Sequence, residues 1–142
     1  MSGMQTTSQS IIGKITLAHY PAVQGIYLFG SYVTENQWPT SDVDIALLLP
    51  HAQAGREEHL NLSPCRMELE SALRREVDLV NLRQVNTVFQ KEIIAEGRLI
   101  YCADTQALDE FEMLVISFYQ KLNEERREIL ETFFRTRRAY AV

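Results

Sequence analysis

This chain has little to offer for cross-linking, metal cages or membrane insertion. It has two cysteines, Cys65 and Cys102, in 142 residues. Their spacing fits neither a CxxC redox pair nor a zinc set, so both are read as reduced thiols. His19, His51 and His59 also match no zinc spacing and are read as surface residues. The longest apolar run, residues 45–49, has five residues and ends at Pro50. A transmembrane helix needs about 20, so no membrane span is expected. The first ten residues, MSGMQTTSQS, carry neither a basic region nor an apolar stretch. No secretory signal is therefore expected, and a cytoplasmic location is. Positive charge is also scarce: 14 Lys and Arg stand against 19 Asp and Glu, a formal charge of −5. A protein that wraps a nucleic-acid backbone carries a positive field, so direct nucleic-acid binding is not expected. The four prolines and six glycines form no linker, and no internal repeat is visible.

The rest is an ordinary globular composition, 46% hydrophobic and 23% charged, sized for a single domain spanning residues 1–142. Helical spacing of Ile11, Ile12, Ile15 and Ala18 predicts a helix over residues 6–19, capped by Ser8 or Ser10 and closed by Pro21. Residues 25–33, GIYLFGSYV, read as a strand running into a Gly-Ser turn. Residues 34–41 are a polar connection and residues 42–49, DVDIALLL, a second strand. Residues 51–55 read as loop. A helical pattern follows over 57–76, broken at Ser63–Pro64, with Leu62, Met67, Leu69 and Leu73 apolar. Residues 77–82 read as a third strand, 85–96 as a helix stopped by Gly97, and 99–103 as a short fourth strand. A long final helix, about 105–138, is capped by Asp104 or Thr105. Its first apolar stripe is Phe111, Leu114, Val115, Phe118 and Leu122. Ile129, Leu130, Phe133 and Phe134 form a second. This order of elements predicts an α+β or α/β-like domain: a mixed β-sheet of about four strands flanked by helices, with a motif core over about 25–103.

The acids carry the functional signal. Fourteen are Glu and five are Asp, and three of those Asp begin strands, against their propensity. Asp42 and Asp44 stand at i and i+2, so they share one strand face with Cα atoms about 6.6 Å apart. The residues between and beyond them, Val43 and Ile45–Leu49, are apolar on both faces, which predicts a central strand covered on both sides. Two such carboxylates resist ionising together, and a hard divalent cation such as Mg²⁺ relieves that repulsion. Asp78 opens the third strand in the same way. Gly30 and Ser31 precede Asp42, with ten residues between Ser31 and Asp42. A glycine lets a phosphate approach the backbone, and the N–H groups of such a turn bind anions. The three acids holding two metals, the metals a triphosphate, and the Gly-Ser turn its distal phosphates would suit in-line displacement at phosphorus. A chance match to GSx10DxD in a chain this long is on the order of one in several hundred.

With these residues the chain resembles the DNA polymerase β-like nucleotidyltransferases, over about residues 25–101. That resemblance implies the nucleotidyltransferase fold. It assigns Asp42, Asp44 and Asp78 as catalytic metal ligands for two Mg²⁺ ions, and Gly30 and Ser31 as nucleotide-binding. It also implies that Asp78 activates the attacking hydroxyl. Ser41 would contact a phosphate or cap a turn. The length leaves no room for an acceptor-gripping second domain. The chain is therefore similar to the minimal nucleotidyltransferases, the antitoxins of HEPN–MNT toxin–antitoxin pairs. Membership there implies ATP as substrate, a cognate HEPN ribonuclease toxin as partner in a hetero-oligomer, and transfer of AMP to a toxin tyrosine. Two alternatives stay open: an antitoxin acting by binding alone, and a nucleotidyltransferase acting on a small molecule.

Other residues give weaker signals. Gly13-Lys14-Ile15-Thr16 lacks the upstream glycine of a Walker A loop. Trp38 could stack on a base or pack its loop. Arg83 and Lys91 are expected near the site, as phosphate contacts or as exposed ion pairs. A helix from 106 to 138 would be about 50 Å long, too long for this core, so its second stripe is expected to project and receive a partner.

Overall fold

A computed structural model describes residues 2–30 and 42–140. Its elements are α1 (Ser2–His19), β1 (Gly25–Phe29), β2 (Val43–Leu48), α2 (His51–Arg56), a 3-10 helix (Leu60–Leu62), α3 (Pro64–Leu73), β3 (Val77–Asn81), α4 (Thr87–Glu96), β4 (Arg98–Cys102) and α5 (Thr105–Tyr140). The sheet order is β3-β2-β1-β4. β1 runs antiparallel to both β2 and β4, whereas β2 and β3 are parallel. The mixed four-stranded sheet with flanking helices and a long last helix is thus present, with the DxD strand in its interior.

Helix ends follow local chemistry. Ser63 accepts from the Arg66 N–H at the start of α3, and Pro64 occupies the first turn, where no N–H is needed. Asn86 accepts from Phe89 N–H at 2.9 Å to open α4, and Asp104 accepts from Ala107 N–H at 3.0 Å to open α5. Asp104, rather than Thr105, is therefore the cap. Ser8 and Ser10 are not caps, because α1 already runs through them from Ser2. Residues 51–55, read as loop, belong to α2, which starts directly after Pro50. The helical stretch at 57–76 resolves into a 3-10 turn and the shorter α3, and Leu62 and Met67 face solvent rather than the core.

Strand alternation sorts the core into two layers. Ile26, Leu28, Val43, Ile45, Leu47, Val77 and Leu79 pack with Ile12 and Ile15 of α1 and Leu69 of α3. Tyr27, Ala46, Leu48 and Val80 pack with Ile93 of α4 and with Leu108, Phe111 and Val115 of α5. Burial at 25 cal/mol per Å² of apolar surface, summed over these side chains, is the main force holding both layers to the sheet.

α5 is continuous over 36 residues, about 54 Å at 1.5 Å per residue. Only its first turns lie on the sheet. Leu114 and Phe118, expected in its core stripe, are exposed, and Leu122 is half-buried. The strands are five or six residues long, so the helix runs past the end of the face it covers. Every residue from 123 to 136 is exposed, including Ile129, Leu130, Phe133 and Phe134. Among the described residues no helix is long and apolar enough to cross a membrane. Cys65 and Cys102 are free thiols, and burial pushes the Cys65 thiol up to about 11, which keeps it unreactive.

Candidate active site

The register of the sheet gathers the acids. Asp44 of β2 lies opposite Asp78 of the parallel strand β3 and opposite Phe29 of the antiparallel strand β1. Neighbouring strands are about 4.8 Å apart, so Asp44 and Asp78 head adjacent rows on the sheet face that carries α4 and α5. Asp42 sits just before β2 and is exposed. Sequence spacing could pair Asp42 with Asp44. Only the parallel pairing of β2 with β3 brings in Asp78.

Gly30 completes this end of the sheet. It follows β1 directly and adopts φ +76°, in the left-handed region that favours glycine. A methyl group there would overlap Asp44 Oδ2 and come within 3.1 Å of its Cγ. The turn is therefore built against the Asp44 carboxylate. Ser31, Ser41 and Trp38 lie outside the described residues.

Burial, then the carboxylates of Asp78 and Asp42, push Asp44 up to about 6. A cation beside such a group favours its ionised form and relieves the repulsion from its neighbours. Among the described residues, no three His, Cys, Asp or Glu side chains form a ready metal cage. The donor chemistry nevertheless fits Mg²⁺. That ion keeps several waters and takes one or two carboxylates together with substrate phosphates, rather than an all-protein cage.

Asp78 has a neighbour that the sequence did not single out. Asn61, in the 3-10 helix, donates from Nδ2 to Asp78 Oδ1 at 2.6 Å, and its Oδ1 accepts from Leu79 N–H at 2.6 Å. Nothing in the local sequence, LNLSP, marks this residue, because the contact spans 17 positions.

Arg83 and Lys91 do not play the expected part. Arg83 donates to Leu49 O and, at 2.7 Å, to Gln24 Oε1, and its guanidinium lies 5.4 Å from the Phe111 ring centre. Leu49 follows the far end of β2, so Arg83 clasps the opposite end of the sheet from the acids. Lys91 Nζ lies 5.0 Å over the Tyr119 ring and ties α4 to α5. His19 pairs with Glu68 at 2.8 Å, which also leaves it outside the site.

Known proteins resemble this chain in sequence and in fold. A family model described as polymerase beta, nucleotidyltransferase, matches residues 13–106, about two thirds of the chain. The chain is 36% identical over 129 residues to the protein adenylyltransferase MntA of Shewanella oneidensis, covering 90% of this chain and 88% of that protein. A crystal structure of a toxin–antitoxin with AMP-PNP superposes with a TM-score of 0.68 at 32% identity, covering 89% of this chain and 98% of the matched one. A structure of tri-AMPylated Shewanella oneidensis HEPN toxin in complex with MNT antitoxin gives a TM-score of 0.64 at 33% identity, covering 92% and 98%. With the DxD strand, the glycine turn and the third acid brought to one end of the sheet, the chain belongs to the polymerase beta nucleotidyltransferase family and is a nucleotidyltransferase enzyme.

Proposed function

We propose that this chain is a Mg²⁺-dependent protein adenylyltransferase that serves as an antitoxin. It transfers AMP from ATP to a tyrosine of a cognate HEPN toxin and thereby silences it. The observation that carries this reading is the convergence of Gly30, Asp44 and Asp78 at one end of three adjacent strands. The relatives support it by what they are: a protein adenylyltransferase, an AMP-PNP complex, and an antitoxin bound to an AMPylated HEPN toxin.

In the reaction the tyrosine oxygen forms a bond to the α-phosphorus while the bond to the β-phosphate bridging oxygen breaks. AMP passes to the tyrosine, pyrophosphate leaves, and the phenolic proton goes to a base. Mg²⁺ supplies charge neutralisation for the triphosphate and the departing pyrophosphate. Asp42, Asp44 and Asp78 would hold it. Asp44, poised between its two states near pH 6, gives up its proton on binding. Asp78, beside Asp44 but engaged on one oxygen by Asn61, is placed to receive the phenolic proton. Gly30 allows the triphosphate to approach the backbone beside Asp44, and Ser31, next in sequence, would add a hydroxyl contact to it.

The toxin docks on the projecting half of α5, whose Ile129, Leu130, Phe133 and Phe134 stripe has no cover in the monomer. The test is to incubate the full chain, ATP, Mg²⁺ and the cognate HEPN protein, then measure intact mass. The expected result is a HEPN protein heavier by whole AMP units and inactive as a ribonuclease, with no change when Asp44→Ala replaces the wild type. Neutralisation without added mass would point instead to an antitoxin acting by occlusion.

A further inference from the structure

We propose that Asn61 is a positioning residue for Asp78, holding the third carboxylate in its working orientation. The proposal rests on the nucleotidyltransferase reading above and concerns one residue of that site.

The mount is built from three anchors. Leu60 is buried in the core, while Leu62, two residues on, is exposed. Ser63 Oγ donates to Leu60 O at 2.6 Å, and Ser63 N–H donates to the same oxygen at 3.1 Å, closing the turn. Leu62 N–H donates to His59 O at 3.0 Å. Asn61 thus projects from a short, doubly fastened turn toward the outer edge of β3.

The amide orientation is also fixed. A backbone N–H only donates, so the atom facing Leu79 N at 2.6 Å must be the Asn61 oxygen. The amide nitrogen is then directed at Asp78 Oδ1, also at 2.6 Å. A bond from a neutral donor to a carboxylate is charge-assisted and directional. With Oδ1 engaged, Oδ2 is the oxygen that Asp78 would offer to a metal and the acceptor. Without Asn61, the side chain of an edge-strand aspartate would sample several rotamers, and the productive one would be only one of them. The neighbouring backbone polar groups of β3 are fastened differently: Glu70 accepts from Val77 N–H and Arg66 donates to Val77 O. Asn61 is the side chain that joins this edge fastening to a site carboxylate.

Two substitutions separate positioning from mere support. Asn61→Asp keeps an oxygen to accept from Leu79 N–H, and so keeps the tether between turn and strand, but removes the donor to Asp78. Asn61→Ala removes both. If Asn61 positions Asp78, both variants lose about tenfold in kcat for AMP transfer to the HEPN protein. KM for ATP stays within about twofold, and Asn61→Asp melts somewhat below the wild type at pH 7, because its carboxylate faces that of Asp78. Introduced into an Asp78→Asn background, Asn61→Ala adds no further loss, because the two act as a unit. Mn²⁺ affinity in the presence of AMP-PNP, read by electron paramagnetic resonance, weakens severalfold in Asn61→Ala. Full kcat in Asn61→Asp overturns the proposal and makes Asn61 a structural tether. A multiplicative loss in the Asp78→Asn background, or unchanged Mn²⁺ affinity, also overturns it. A wild-type chain that transfers no AMP would instead overturn the functional reading, and the Mn²⁺ measurement would still decide the role of Asn61.

Discussion

Gly30 is packed so closely on Asp44 that the smallest side-chain carbon at position 30 would overlap the Asp44 carboxylate. The two residues are 14 positions apart, and antiparallel pairing of β1 with β2 brings them together. Gly30→Ala must therefore do two things at once. It places a Cβ on a residue at φ +76°, a cost of about 1–2 kcal/mol, and it displaces Asp44. AMP transfer should fall at least about tenfold, and the melting temperature should drop by several degrees. Parallel measurements of rate and thermal unfolding check this. An active Gly30→Ala would show that the turn does not constrain Asp44.

Asp44 makes the metal-free protein less stable near neutrality. Its carboxyl ordinarily titrates at 3.8 and is pushed up to about 6 in the fold. The folded chain therefore binds this proton more tightly than the unfolded chain. Its stabilising contribution is complete below about pH 4 and is lost as pH rises through 6. Asp44→Asn should raise the apo melting temperature at pH 7 by a few degrees, from about 1 kcal/mol after allowing for the solvent-facing part of the carboxylate. At pH 4 the two proteins should melt alike. The same variant should be inactive. Thermal melts at both pH values, without metal, provide the check.

Binding of Mg²⁺ with ATP must displace the Asp44 proton below pH 6. Apparent affinity should be flat above about pH 7 and fall toward tenfold per unit well below pH 6. Calorimetry at pH 6 in two buffers of different ionisation enthalpy should register proton release on binding. The release should disappear in Asp44→Asn.

Ser31 follows the positive-φ glycine at the end of β1. A hydrogen bond to a charged phosphate is worth roughly 1.5–3 kcal/mol, so Ser31→Ala should lower kcat/KM about tenfold to a hundredfold. An unchanged rate would leave the phosphates to the backbone N–H groups alone.

The projecting part of α5 should separate partner binding from catalysis. Ile129, Leu130, Phe133 and Phe134 are each more than half exposed and belong to neither core layer. Ile129→Ser combined with Phe133→Ser should leave the melting temperature and ATP binding unchanged while weakening association with the HEPN protein by about tenfold or more. Loss of ATP binding in that variant would show that the stripe belongs to the domain's own core.

Much of the site was legible in the sequence, because its strongest parts are local. Asp42 and Asp44 share a face by strand alternation alone, and the apolar residues around them mark an interior strand. Gly30-Ser31 at a fixed distance upstream identifies the turn. α5 was legible as a long helix because two stripes of helical apolar spacing, 111–122 and 129–134, flank a charged stretch with no Pro or Gly between them, and the bare second stripe followed from its length. The tertiary structure decided the rest. Asp78 joins Asp44 because β3 pairs parallel to β2 in a register that puts the two acids side by side, and nothing within either strand encodes that choice. Asn61 reaches Asp78 from a turn whose own sequence is unremarkable. Arg83, close to the third strand in sequence, clasps the opposite end of the sheet, because a strand of five residues carries the chain across the whole domain. Periodicity assigns a residue to a face. Only the packing of strands and helices determines which end of that face it occupies and which charges it meets there.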